Sequence, residues 1–112
     1  MVAKDNKYSK VEGLLYSYRE LPFKKKNLEL ELKLNDDNKK REELERIEIT
    51  MCKIENMLNM IKSTSEIDYL IIKLRYIDGL EWNDMETQLH MSISWLMQRR
   101  RSIIEKKLLS MV

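Results

Sequence analysis

The chain has 112 residues, 36% of them charged and 43% hydrophobic, with only two glycines, one proline and one cysteine. That length holds one domain, or one small domain with a helical extension. So few turn residues exclude a β-sandwich or barrel, whose strands need a turn about every 8 to 12 positions, and they exclude a collagen-like or low-complexity chain, so an all-α fold remains.

A net charge of +2, from 21 basic and 19 acidic residues, is too close to balance to announce a nucleic-acid partner. Its distribution is more informative. Residues 63–91 carry Lys73 and Arg75 against Glu66, Asp68, Asp78, Glu81, Asp84 and Glu86, whereas residues 92–112 carry Arg99, Arg100, Arg101, Lys106 and Lys107 against Glu105 alone. The lone Cys52 permits no intrachain disulfide and points to a reducing, cytoplasmic setting. No uncharged stretch approaches the eighteen or so residues of a membrane helix, and the opening MVAKDNKYSK lacks the apolar region of a secretory signal.

The first periodic segment begins near Tyr8. Val11, Leu14, Tyr18, Leu21, Leu28 and Leu32 follow a 3-4 alternation broken only at Lys25, which keeps one apolar stripe on one helix face. Pro22 interrupts the interior of that segment, so a kink or break is expected around Leu21. Leu28, Leu30, Leu32 and Leu34 alternate with charged residues as a strand would, but no second strand exists to pair with them, and Leu, Glu and Lys favour helix. Asn35, Asp36, Asp37 and Asn38 read as a turn. Beyond it Leu44, Ile47, Met51, Ile54, Leu58 and Ile61 repeat the 3-4 spacing, with the charged run of residues 39–48 mostly on the solvated face. The two segments are expected to pack as an antiparallel, coiled-coil-like hairpin over residues 1–62.

Residues 63–112 read as a compact three-helix unit. Ser63, Thr64 and Ser65 offer caps, with Glu66 and Asp68 suited to the helix N-terminus that follows. Ile67, Leu70, Ile71, Leu74 and Ile77 give an amphipathic helix, and Gly79 supplies the left-handed residue that ends it. A short helix over about Trp82 to Leu89, a tight turn and a basic helix capped by Ser92 then form the pattern of a helix-turn-helix. Met85, Leu89, Met91, Leu96 and Ile103 are expected to converge on its core under Leu70 and Leu74. The opposite face of the last helix presents Ser94, Trp95, Gln98, Arg101 and Ser102, flanked by Arg99 and Lys106. Arginine pairs bidentately with guanine and glutamine with adenine in the major groove, while flanking lysines and arginines hold phosphates. Gln98 and Arg101 therefore fall to base reading, and Arg99 and Lys106 to the backbone. Basic residues near a helix C-terminus also complement its dipole, which is the plainer explanation of the same charges.

The stretch LIIKLRYIDGLEWNDMETQLHMSISWLMQRRRSIIEKKL resembles region four of the sigma factors, and especially the small phage regulators of the ArpU and RinA type. KVEGLLYSYRELPFKKKNLELELKL is similar to the start of those proteins. The resemblance implies activation of phage late or packaging genes in a bacterial host, with double-stranded DNA and RNA polymerase as partners. Three positions depart from the family pattern: Glu86 stands where a small residue is usual, His90 where the turn commonly has glycine, and Glu81 where a Ser or Thr caps the helix before Trp82. His90 suits a left-handed turn. Glu86, if buried, needs a partner, and Arg100, expected on the same side as Leu96 and Ile103, is the candidate.

Other chemistry has too few residues to build it. Cys52 and His90 are single and far apart, so neither a metal centre nor a Cys-His nucleophile is expected, nor any catalytic site or cofactor. The eight methionines suit core filling, or an adaptable partner groove. Trp95 points outward, toward DNA, a second subunit or the helix that carries Ile67 to Ile77. The alternative function is a helical packaging adaptor, terminase-like, whose helices assemble a homo-oligomer and touch DNA without sequence preference.

Overall fold

The computed structural model describes residues 2–112 and is all-helical, with no strand among the described residues. Six helices follow one another: α1 (Val2–Ser17), α2 (Leu21–Leu34), α3 (Asn38–Thr64), α4 (Glu66–Ile72), α5 (Trp82–Leu89) and α6 (Ile93–Ile103). The last turn of α4 widens into a π-turn over Lys73–Ile77. Helix α6 does the same over Ile104–Leu108 and then tightens to a 3-10 turn, Leu109–Met111.

Pro22 breaks the first periodic segment rather than kinking it. The chain leaves the helix after Ser17 and restarts at Leu21, which puts the proline in the first turn of α2, where its missing N–H costs nothing. The alternating leucines are helical throughout. The turn expected at residues 35–38 is present over 35–37, Asn38 being the first residue of α3, with Asp37 as its N-cap accepting from the Lys39 amide at 2.9 Å.

That break changes the partner of the N-terminal segment. Helices α2 and α3 form the antiparallel hairpin, whereas α1 folds back mainly onto the two π-turns and the final 3-10 turn. The expected seam of residues 11–32 against 44–61 is therefore real for α2 and largely wrong for α1. Spacing shows that a segment has an apolar face but not which surface will cover it. Val11 and Leu15 of α1, Ile54, Met57 and Ile61 of α3, and Ile71, Ile72, Tyr76, Leu96, Ile104 and Leu108 belong to one contiguous core. The division expected after residue 62 falls within the last turn of α3, just before the change of helix at Ser65, and the core runs across it. The molecule measures 51 × 32 × 25 Å, its long dimension reflecting a 27-residue α3 that spans about 40 Å.

The π-turn after α4 revises its buried face. The wider turn rotates the side chains within it, so Tyr76 is buried in place of the half-buried Ile77; before it, Ile71 and Ile72 are buried while Ile67 is only half-buried. Leu70, expected over the helix-turn-helix core, is also only half-buried. Among the described residues no helix is long and apolar enough to cross a membrane.

Candidate nucleic-acid interface

Helix α6 packs on both α4 and α5, and α5 meets the π-turn that follows α4; Ile71, Leu74, Met85, Leu96 and Ile103 all belong to the core. Each junction has a local cause. Ser65 accepts from the Asp68 amide and starts α4. Gly79 has φ +74 and closes the π-turn, with the Leu80 amide donating to the Leu74 carbonyl. The Arg19 guanidinium crosses Gly79 and donates through Nε to the Tyr76 carbonyl at 2.9 Å; a Cβ on residue 79 would lie 2.7 Å from Arg19 Nη1. Glu81 occupies the cap before Trp82 in an extended conformation and makes no capping bond through its side chain. His90 ends α5 in the left-handed region, at φ 58 and ψ 39. Ser92 then caps α6, accepting from the Trp95 amide at 3.2 Å.

Glu86 is not buried and does not meet Arg100. It is exposed at the start of α6, where its carboxylate accepts from the Ile93 amide at 3.3 Å. An acidic group there satisfies an orphan donor and complements the positive end of the helix dipole, so it needs no cation. Arg100 turns to the other side of the unit. Its Nη1 donates to Glu12 Oε2 of α1 at 3.3 Å and to the Tyr76 hydroxyl at 3.2 Å, while the Tyr76 hydroxyl donates to the same carboxylate oxygen at 2.7 Å. The Trp82 ring lies against two guanidiniums, with Arg75 and Arg100 centred 4.7 and 5.2 Å from its centroid. Trp82 thus packs at the entry to α5 and helps to hold Arg100 in place. Burial pushes the Tyr76 phenol far above its ordinary pKa.

Arg99 also has an internal task. Asp68, fully buried, accepts from Arg99 Nε at 2.7 Å and Arg99 Nη2 at 2.8 Å, and from Lys107 Nζ at 2.9 Å. Burial pushes its carboxyl up, but the hydrogen bonds and charges of Arg99 and Lys107 together outweigh that and hold it below the usual carboxylate range. Arg99, expected among the phosphate contacts, is a clamp between α6 and α4. Three of the five bases after residue 92 are therefore committed to carboxylates inside the fold.

What α6 leaves outside is a narrow stripe. Ser94, Gln98 and Arg101 are exposed and recur at i, i+4 and i+7, opposite buried Leu96 and Ile103. Trp95 is exposed and Ser102 half-buried along one edge; Met97, overlooked in the sequence, is exposed on the other. The Arg101 side chain is 70% exposed and lies 3.6 Å from Glu105, a contact that solvent screens. Lys106 is exposed beyond the stripe, on the following turn. Leu89 packs against the core in part. The two clamps were missed because Asp68 serves equally well as a helix-start charge, and Glu12 lies 88 residues from Arg100.

Among the described residues no group of three or more His, Cys, Asp and Glu side chains is placed to hold a metal ion. The chain matches no protein-family profile, no curated protein and no solved structure.

Proposed function

We propose that the chain binds double-stranded DNA through the outward face of α6 and acts as a transcriptional regulator. The observation that carries this reading is the alignment of Ser94, Gln98 and Arg101 on the exposed side of a serine-capped helix whose opposite side is fixed to α4 and α5. Arg101 has the fork that pairs with guanine O6 and N7, and Gln98 the amide that pairs with adenine N6 and N7. Ser94, near the helix start, suits a base edge or a phosphate. Trp95, Met97 and Ser102 border the stripe and supply apolar or hydroxyl contacts. With Arg99, Arg100 and Lys107 engaged internally, Lys106 is the main phosphate contact left on this face. Affinity should accordingly show a shallow dependence on salt.

Activation of phage late or packaging genes, with recruitment of RNA polymerase, is the finer reading that the resemblance to ArpU- and RinA-type regulators supplies. A packaging adaptor is the second reading, favoured by the same commitment of cations to internal pairs. Selection from random duplex DNA tests the choice. Enrichment of one short motif at physiological salt supports the regulator, while recovery of only weak, indiscriminate binding supports the adaptor.

A further inference from the structure

Arg101 carries its guanidinium beside a carboxylate. Its Nε lies 3.6 Å from Oε1 of Glu105, one helical turn further on. The two side chains differ in setting, that of Arg101 being 70% exposed and that of Glu105 27%. Glu105 belongs to the π-turn Ile104–Leu108, on which α1 packs. The half-buried Tyr8 of α1 stands close to both groups: its phenol pKa is raised, chiefly by burial, and the charges of Arg100, Glu12, Arg101 and Glu105 all act on it. The carboxylate thus sits against the fold while the guanidinium it approaches reaches outward. Approach through Nε leaves Nη1 and Nη2, the end of the fork, for guanine O6 and N7. Helix stability does not account for the pair. An acid four residues after a base is the weaker order along a helix, and an acid in the last turns opposes the dipole that neighbouring bases complement.

On the reading that α6 enters the major groove, we propose that Glu105 is a positioning residue: it orients Arg101 so that the end of its fork meets a guanine edge, and it thereby raises discrimination at that base pair. A solvated arginine samples many rotamers, and ordering it on a base costs side-chain entropy. A carboxylate at Nε removes part of that cost before DNA arrives. In the free protein water screens the contact; in the groove that water is displaced and the contact strengthens. Glu105 touches no base itself. Its charge alone would act the other way, because an anion beside phosphates weakens every complex whatever its sequence. Positioning and simple charge therefore predict opposite signs when the charge is removed.

The test measures binding of the full chain to two duplexes. One is the duplex the protein selects; in the other an A·T pair replaces the G·C pair at which Arg101→Ala loses its preference. Glu105→Gln removes the charge and keeps the size. It should lower the ratio of the two affinities about three- to tenfold, by weakening binding to the guanine duplex, with an unchanged helical circular-dichroism spectrum. Glu105→Asp keeps the charge but shortens its reach, and should lose part of the ratio. Glu86→Gln makes the same charge change at the start of α6, with an amide that still accepts from Ile93, and should leave the ratio unchanged. In an Arg101→Ala background Glu105→Gln should have no further effect on the ratio. Tighter binding of both duplexes by Glu105→Gln, a full ratio in both Glu105 variants, an equal loss in Glu86→Gln, or the same loss in the Arg101→Ala background would each overturn the proposal and leave the DNA reading intact. A protein that selects no sequence, or in which Arg101→Ala relaxes no base pair, would overturn base reading by Arg101 and this proposal with it.

Discussion

Arg99 holds Asp68 with two parallel hydrogen bonds, Nε to Oδ1 at 2.7 Å and Nη2 to Oδ2 at 2.8 Å, across the α4–α6 contact. The guanidinium fork matches the carboxylate, and Lys107 satisfies it further at 2.9 Å from Oδ2. The pair fixes where α6 sits on the three-helix unit, and so fixes the direction in which Gln98 and Arg101 point.

Losing Arg99 should therefore appear first as lost stability. Breaking a buried pair costs about 3–5 kcal/mol. Lys107 remains in the Arg99→Ala variant and the Arg99 side chain is 39% exposed, which places the expected cost nearer ~2 kcal/mol. Urea titration measures it. A change under about 0.5 kcal/mol, the ordinary surface range, would return Arg99 to the role of a surface cation.

The same carboxylate makes stability depend on acidity. Its pKa in the folded protein lies below the ordinary value, so its contribution is fully present above the unfolded-state pKa of about 4. The contribution is lost as pH falls through the lower, folded value. Melting temperature should drop on acidification below about pH 5, and Asp68→Asn should flatten that decline while lowering stability at neutral pH. Equal acid sensitivity in both proteins would assign it to other groups.

Arg100 should couple to Glu12 and not to Glu86. The first pair is partly buried and shares the Tyr76 hydroxyl, so a double-mutant cycle with Glu12→Ala and Arg100→Met should give about 1 kcal/mol or more. A cycle of Glu86→Ala with Arg100→Met should give no coupling, while Glu86→Ala alone costs about 0.5–1 kcal/mol as a lost helix-start contact. The reverse pattern would contradict the geometry.

Helix α1 belongs structurally to the C-terminal unit. The Tyr16 and Tyr76 rings meet edge to face at 4.7 Å, and Glu12 caps the Tyr76–Arg100 cluster. Residues 63–112 expressed alone uncover Tyr76, Ile104 and Leu108 and are expected to be unfolded or molten by near-ultraviolet circular dichroism. Cooperative melting of that fragment would show that α1 is dispensable.

Much of the local structure was legible because its causes are local. The Ser92 cap, a cap among Ser63, Thr64 and Ser65, the left-handed Gly79 and His90, and the long 3-4 run of α3 each need only neighbouring residues to be recognised. The docking of α1 was not, because heptad spacing announces an apolar face without naming its partner. Nor were the π-turns, which exchange Ile77 for Tyr76 in the core through a one-residue shift in register. Among the site residues, the outward set of Ser94, Gln98 and Arg101 followed from helical geometry. Arg99 read as a phosphate contact and Arg100 as the partner of Glu86, and Lys107 had no expected role, because a run of basic residues does not reveal which carboxylate, Asp68 or Glu12, waits across the fold.

The most direct measurement of the central claim compares Arg101→Ala and Lys106→Ala on the duplex selected by the protein and on a scrambled duplex, across a salt series. Loss of Arg101 should cost about 1–3 kcal/mol on the selected site and relax preference at one base pair, whereas loss of Lys106 should weaken both duplexes alike and lower the salt slope by about one. Equal weakening of both duplexes by Arg101→Ala would contradict base reading by α6, and failure of the unaltered protein to bind any duplex at low salt would contradict DNA binding itself.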